Sequence, residues 1–294
     1  MAIREIARAK INLTLVVRGR RPDGYHELSS LVTFAEAGDT LDLESGAPER
    51  VAVTGPFAGE IVGENLLATT LATLRAQAPA LTLGAVHLEK HLPVAAGIGG
   101  GSADVGALLR AVRRANEKQA QAVDWHGIAA DLGADIPVCL ANVPAMMSGK
   151  GELLIAVQRL PSVAAVLVNP RRPLETGKVF AALAAPPLAD VPSHEAPPTI
   201  GDLDELCAYM CAHGNTLQRP ATGILPAIGE IISAVEAQTG CRLAAMSGSG
   251  PTCFGLFSDS AAATEAARAL SAGPPRRGGG AAPPGGARGG PGPS

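Results

Sequence analysis

The run Leu92-Pro93-Val94-Ala95-Ala96-Gly97-Ile98-Gly99-Gly100-Gly101-Ser102-Ala103-Asp104 constrains this chain more than any other stretch. Four of residues 97–101 are glycine, which removes the Cβ atoms that would hold a bulky anion away from the backbone. Apolar residues then recur at Val105, Leu108, Leu109 and Val112, the spacing of an amphipathic helix. A glycine-rich turn that opens a helix aims unpaired N–H groups and the positive end of the helix dipole at one point, which suits a phosphate. Ser102 adds a hydroxyl fit for a phosphate oxygen or a Mg²⁺ ion. A flexible surface loop of biased composition is the bland alternative, and the helix pattern directly behind the glycines weighs against it.

Exclusion narrows the kind of phosphate site. The P-loop pattern requires a lysine and a Ser/Thr after its last glycine, and no lysine lies between Lys90 and Lys118. The dinucleotide fingerprint requires a third glycine or alanine where Ser102 stands, and a strand running straight into the loop, which Pro93 interrupts.

At 294 residues there is room for two cores. With 47% apolar and 17% charged residues the composition is globular, and a net charge of −3 gives no electrostatic footprint for nucleic acid or an anionic membrane. No apolar run reaches the length of a membrane span, and Met1 to Lys10 lacks a signal-peptide core, so a cytoplasmic location is expected. The five cysteines (139, 207, 211, 241, 253) are odd in number and lack C-x-x-C spacing, against a disulfide framework or a zinc ribbon. Cys207, Cys211 and His213 fall on one helical turn; small buried hydrophobes are the better reading of such cysteines.

Ile11, Leu13, Leu15 and Val17 alternate with Lys10, Asn12 and Thr14, the period of a half-buried strand with Lys10 and Asn12 on one face. Asp23-Gly24 marks a turn, and Tyr25-His26-Glu27-Leu28 begins the return. Short strands are expected over 40–44, 51–53 and 85–88, and helices after Asn65 and Asp124 as N-caps. Pro137 suits the first turn of a helix beginning near Asp135. A strand over 163–168 precedes a helix capped by Thr176, with Val179, Phe180 and Leu183 on its inner face. After a proline-rich link from Pro186 to Pro198 come a helix through Leu203, Leu206 and Met210, then one amphipathic helix from Ile224 to Val235. Strands over 242–245 and 252–257 flank a second glycine segment, Ser247-Gly248-Ser249-Gly250. That segment reads equally as a tight turn or as backbone approaching phosphates. From Gly273 onward only Gly, Pro, Ala and Arg remain before Ser294, and disorder is expected.

Phosphoryl transfer needs placement and charge compensation more than covalent help. Lys10 is a candidate cation and Asp135 a candidate carboxylate. Taken singly, a strand-edge lysine and an ordinary cap aspartate explain them as well.

Three separated segments nevertheless share one pattern. Ala9-Lys10-Ile11-Asn12-Leu13, the Pro93 to Asp104 loop and Ser247-Gly248-Ser249-Gly250 resemble, in order, the three motifs of the galactose, homoserine, mevalonate and phosphomevalonate kinase superfamily. The resemblance runs from about residue 5 to 270. Arg20-Arg21-Pro22-Asp23-Gly24-Tyr25-His26 and Gly133-Ala134-Asp135-Ile136-Pro137 point to the branch whose acceptor is a cytidine-diphosphate-linked methylerythritol of the non-mevalonate isoprenoid route. The resemblance implies ATP-dependent phosphorylation of its 2-hydroxyl, with Mg²⁺ and with neither nucleic acid nor membrane as partner. Lys10 and Asp135 fall on the catalytic pair, the lysine keeping the carboxylate ionised. Residues Val94 to Asp104 fall on the nucleotide-phosphate segment, Ser102 also on the metal, and Asn65 near the adenosine. Asn12, Tyr25, His26, Thr176 and Phe180 fall on acceptor positions, cytosine lying between two aromatic faces.

The implied fold is α+β: an N-terminal domain like domain 2 of ribosomal protein S5 over 1–157, a ferredoxin-like α/β sandwich over 158–271, a tail over 272–294, and the active site in the cleft between the domains. Ile98 stands for a usual leucine, Ala103 for a frequent serine, and Thr216 for an aspartate after Asn215. The usual last strand has no counterpart after Gly273. A sibling kinase for homoserine, mevalonate or galactose is the nearest alternative; the Tyr25, His26 and Phe180 set argues against it. A nucleotide-binding module that lost catalysis is the other, opposed by the intact Lys10, Ser102 and Asp135.

Overall fold

The computed structural model describes residues 2–61, 63, 65–94, 96–188, 196–272, 280–281 and 285–287. The first half of the chain forms β1 (Ala2–Asn12), β2 (Val16–Arg20), β3 (His26–Ser45), β4 (Arg50–Thr54), α1 (Leu66–Gln77), β5 (Gly84–Glu89), α2 (Gly100–Ala115), α3 (Trp125–Leu132) and α4 (Ile136–Ala141). There follow β6 (Ala145–Gly149), β7 (Leu153–Ala156), β8 (Val163–Asn169), α5 (Thr176–Leu183), α6 (Leu203–His213), α7 (Gln218–Ile224) and α8 (Ala227–Glu236). The last elements are β9 (Cys241–Met246), β10 (Cys253–Phe257), α9 (Ser260–Ala272), β11 (Gly280–Ala281) and β12 (Gly285–Ala287).

These elements make two compact units. One unit holds residues 2–9, 38–94 and 99–142; the other holds 10–37, 96–98 and 143 onward. The 20-residue β3 serves both, its first part pairing in the second unit and its last part in the first.

In the first unit, residues 40–45 of β3 pair antiparallel with β5, and β4 runs parallel to β5. Gly84 sits where an added Cβ would come within 2.0 Å of the Glu44 carbonyl oxygen, so this pairing admits no side chain there. The apolar stripe of α2 is buried as its spacing predicts: Val105, Leu108, Leu109 and Val112 are all sealed from solvent. A Cβ at Gly106 would meet the Cys139 carbonyl carbon at 2.6 Å, which lets α2 and α4 approach closely. Both expected caps form: Asn65 Oδ1 accepts the Leu67 N–H and Asp124 Oδ1 accepts the Gly127 N–H, each at 2.9 Å.

In the second unit, β2 and β6 pair antiparallel with β3, and β7 pairs with β6. A separate antiparallel sheet joins β8, β10 and β9, with α8 and α9 packed on it. All five residues of β10 are buried, and Gly255 gives α8 its close seat, since a Cβ there would lie 2.3 Å from Val235 Cγ1.

Several expectations are corrected here. The alternation at 10–17 is not a half-buried strand: β1 ends at Asn12, and Lys10, Asn12 and Thr14 are as buried as Ile11, Leu13 and Leu15. Hydrogen bonds offset the burial of these polar groups, as with Thr14 Oγ1 accepting the Leu31 N–H at 3.0 Å. The single helix expected from Ile224 to Val235 is two, α7 and α8, because Pro226 cannot continue the first and instead opens the second. Thr176 does not cap α5; Glu175 holds that position without a side-chain bond. Among the cysteines, 139 and 253 are buried, but Cys211 is exposed. After Gly273, where no strand was expected, β11 and β12 pair antiparallel with β8. Glycine and alanine still offer N–H and C=O groups, and neither segment contains proline. The rest of the expected tail, and residues 189–195 of the expected link, lie outside the described residues.

Candidate functional site

Three stretches far apart in sequence are bonded together within the second unit. The Lys10 N–H donates to the Ile98 carbonyl at 2.9 Å, and the Asn12 N–H donates to Ser247 Oγ at 3.0 Å. Thr252 closes the set: its N–H and its hydroxyl both donate to the Ala96 carbonyl, at 3.2 and 2.6 Å. The glycines explain the closeness. Gly97 has φ +72°, and a Cβ on it would fall 1.9 Å from the Gly250 carbonyl oxygen. Gly248 has φ +58°, with Asn12 Oδ1 3.1 Å from where its Cβ would be. Asn12 is itself buried and donates from Nδ2 to Ser30 Oγ at 2.8 Å. The second glycine segment is therefore a turn built against the first.

The acceptor candidates belong to the same unit. Tyr25, 58% exposed, presents its ring at a turn held by the Arg21 N–H to the Tyr25 carbonyl, 2.8 Å. The Arg21 guanidinium pairs with buried Glu27, whose other oxygen accepts the Gly149 N–H at 3.0 Å. The ammonium of the next residue, Lys150, lies 4.7 Å from the centre of the Tyr25 ring. His26 and Phe180 stack on each other, centroids 4.7 Å apart at 29°, so one face of Phe180 is already covered by an imidazole. Burial, with the Arg20 charge behind it, pushes the His26 pKa below its ordinary value and leaves a neutral ring at pH 7. Such a ring can both donate and accept a hydrogen bond. The Thr176 and Ser249 hydroxyls share a hydrogen bond of 2.9 Å, tying the start of α5 to the 247–250 turn.

The remaining candidates belong to the first unit. Asp135 precedes α4, half-buried and without a side-chain cap bond. Asn65 uses its side-chain oxygen on the α1 cap, beside the half-exposed Leu66. The Val94 N–H lies 3.4 Å from Glu60 Oε2. Gly99 takes φ +64° to start α2, so the amides of Gly100, Gly101 and Ser102 stand at the first turn with no preceding carbonyl to accept them. Gly101 is exposed and Ser102 half-buried, whereas Ala103 and Asp104 face inward. Ala95 lies outside the described residues. Asp104 Oδ2 accepts from Lys90 Nζ at 2.7 Å, and the same ammonium pairs with Asp39. Burial pushes the Asp104 carboxyl up to about 8, with Lys90 opposing the rise and Asp39 adding to it.

Sequence reasoning missed four supporting residues. Lys90 and Asp39 fall in no motif, and nothing in the sequence marks their burial. Lys150 carries no pattern at all. Asn215 donates twice, to the Met246 and Gly248 carbonyls at 2.8 Å, and so fixes the second glycine turn. Its neighbour Thr216 accepts the Val17 N–H at 3.0 Å, a packing role for the position where an aspartate is usual.

Known proteins resemble this chain over most of its length. The GHMP kinases N terminal domain matches residues 65–150, and the GHMP kinases C terminal family matches residues 191–275. A 4-diphosphocytidyl-2-C-methyl-D-erythritol kinase of Parvibaculum lavamentivorans is 48% identical over 92% of this chain and 94% of its own. One of Rhodopseudomonas palustris is 45% identical with the same coverage. A crystal structure of 4-(cytidine 5'-diphospho)-2C-methyl-D-erythritol kinase, 31% identical, superposes with a TM-score of 0.73 over 97% of this chain and 100% of that one.

Proposed function

This chain belongs to the 4-diphosphocytidyl-2-C-methyl-D-erythritol kinase family of GHMP kinases, and from that premise we propose how its residues divide the work. It is an ATP-dependent kinase for a cytidine-diphosphate-linked methylerythritol, a step of the non-mevalonate route to isoprenoid precursors. The γ-phosphoryl group of ATP passes to the hydroxyl on carbon 2. Asp135 takes the proton of that hydroxyl as its oxygen attacks. Lys10 offsets the negative charge that spreads over the equatorial oxygens. The first-turn amides of α2 hold the phosphates, and Asn65 sits near the adenosine. Tyr25 and Phe180 supply ring faces for cytosine, neutral His26 hydrogen-bonds its edge, and Asn12 and Thr176 complete the wall.

Mg²⁺ is the cofactor of this reading. The Ser102 hydroxyl is a hard oxygen at the exposed first turn of α2, suited to an ion that keeps water and phosphate oxygens as its other ligands. Asp104, engaged with Lys90, is not among the donors. When bound, the ion neutralises charge on the β- and γ-phosphates. The enzyme works in the cytoplasm, where ATP is supplied; among the described residues no helix is long and apolar enough to cross a membrane.

The observation that supports the assignment of residues is the bonded junction of 10–12, 96–98 and 247–252, which ties the start of the glycine loop to the other two motif segments. ATP consumption across a panel of sugar alcohols, each with and without a cytidine diphosphate group, tests the reading. Turnover is expected only with the cytidylyl methylerythritol. Equal rates on homoserine or mevalonate would overturn it.

A further inference from the structure

The lysine nearest the glycine loop does not face outward. Lys90 stands one residue beyond β5, 3% exposed, and its ammonium pairs with Asp39 (0% exposed) and Asp104 (5% exposed). The three residues come from three elements: the exit of β5, the middle of β3 and the first turns of α2. Asp39 reaches further, since its Oδ1 also accepts the N–H groups of His91 and Leu92, the latter at 2.7 Å. The chain entering the glycine loop and the helix leaving it are thus tied to one ammonium. That ammonium lies 3.4 Å from where a Cβ at Gly100 would sit, directly behind the first turn of α2. Among the described residues Asp104 Oδ1 meets no N–H or O–H donor at a normal hydrogen-bond geometry, so the cluster is not arranged for its own best satisfaction.

We propose that Lys90, Asp39 and Asp104 form a positioning triad that fixes both ends of the phosphate-binding loop, and that Lys90 is not itself a phosphate ligand. Taking three ionisable side chains out of water is a poor way to stabilise a fold, and well-packed apolar residues often do as well or better. What such a cluster supplies is a single geometry. A lysine beside a glycine-rich loop ordinarily suggests a contact to phosphate. An ammonium already holding two buried carboxyl groups from behind the loop has no reach to one.

This inference rests on the loop being the ATP site, and the test separates the two. Lys90→Met and the nearly isosteric Asp104→Asn are compared with the parent by amide hydrogen exchange over residues 90–104 without nucleotide, by calorimetric binding of ATP, and by steady-state kinetics. Both variants should lose protection over 90–104 and raise the KM for ATP at least tenfold. The KM for the cytidylyl acceptor should stay within twofold. If the parent binds no nucleotide yet exchange still quickens in the variants, the triad stands and the ATP reading falls. Unchanged exchange and KM for ATP, an equal rise in both KM values, or failure of both variants to fold would each overturn the triad as a positioning device.

Discussion

In the proposed division of roles, Asp135 is the residue at which the chemistry can be separated from binding. Asparagine keeps its volume but loses the basic oxygen, so Asp135→Asn should lower kcat by about 10²- to 10⁴-fold, the usual worth of a positioned base. ATP affinity measured by calorimetry should be retained. Tyr25 probes the other substrate. Stacking of a base on an aromatic ring is worth about 1–3 kcal/mol, so Tyr25→Ala should raise the KM for the cytidylyl acceptor about tenfold and leave that for ATP unchanged. An equal change in both would remove Tyr25 from base recognition. Tyr25 and His26 were legible in the sequence because Asp23-Gly24 announces the turn that presents them. Lys90 was not, since a lysine at a strand end reads as surface and only the fold reveals the two carboxyl groups around it.

Among the elements, α2 was the most legible, because a stripe at helical spacing has one way to be buried and the glycine before it one conformation to adopt. The short β4 and β5 were legible as apolar runs, whereas the strand expected over 40–44 is the end of the 20-residue β3. The break between α7 and α8 was less so, as apolar residues on either side of Pro226 keep the period of one continuous helix. The meeting of the 96–98 and 247–250 segments was invisible in composition, where the first read as a phosphate loop and the second equally as a tight turn or as backbone approaching phosphates; the fold brings Gly97 against Gly250. Alanine at 97 must therefore bear both a positive φ and a backbone collision. Gly97→Ala should destabilise the protein by about 1–3 kcal/mol, read as a lower urea midpoint with an unchanged slope. A neutral result would mean that the two turns separate freely.

For the whole molecule, the fold class was legible in the motifs, whereas the path of the chain through its two units was not. Residues 10–37 belong with the C-terminal half, although 38–94 and 99–142 intervene. A fragment of residues 158–272 lacks β2, β6 and the strand residues that complete its unit, so it should show no near-ultraviolet circular dichroism when expressed alone. A cooperatively folded fragment would contradict the interleaved division.

That division also sets a timetable on the ribosome. The stretch 10–37 emerges early, yet its partners as far as β10 appear about 220 residues later, roughly 10–45 s at ordinary elongation speeds. Through that interval β2 and early β3 have each other, but the later segments of their unit, as far as β10, are still unsynthesised. Stalled translation intermediates ending near residue 180 should be open to protease at Arg18, Arg20 and Arg21, and release of the full chain should close those sites together.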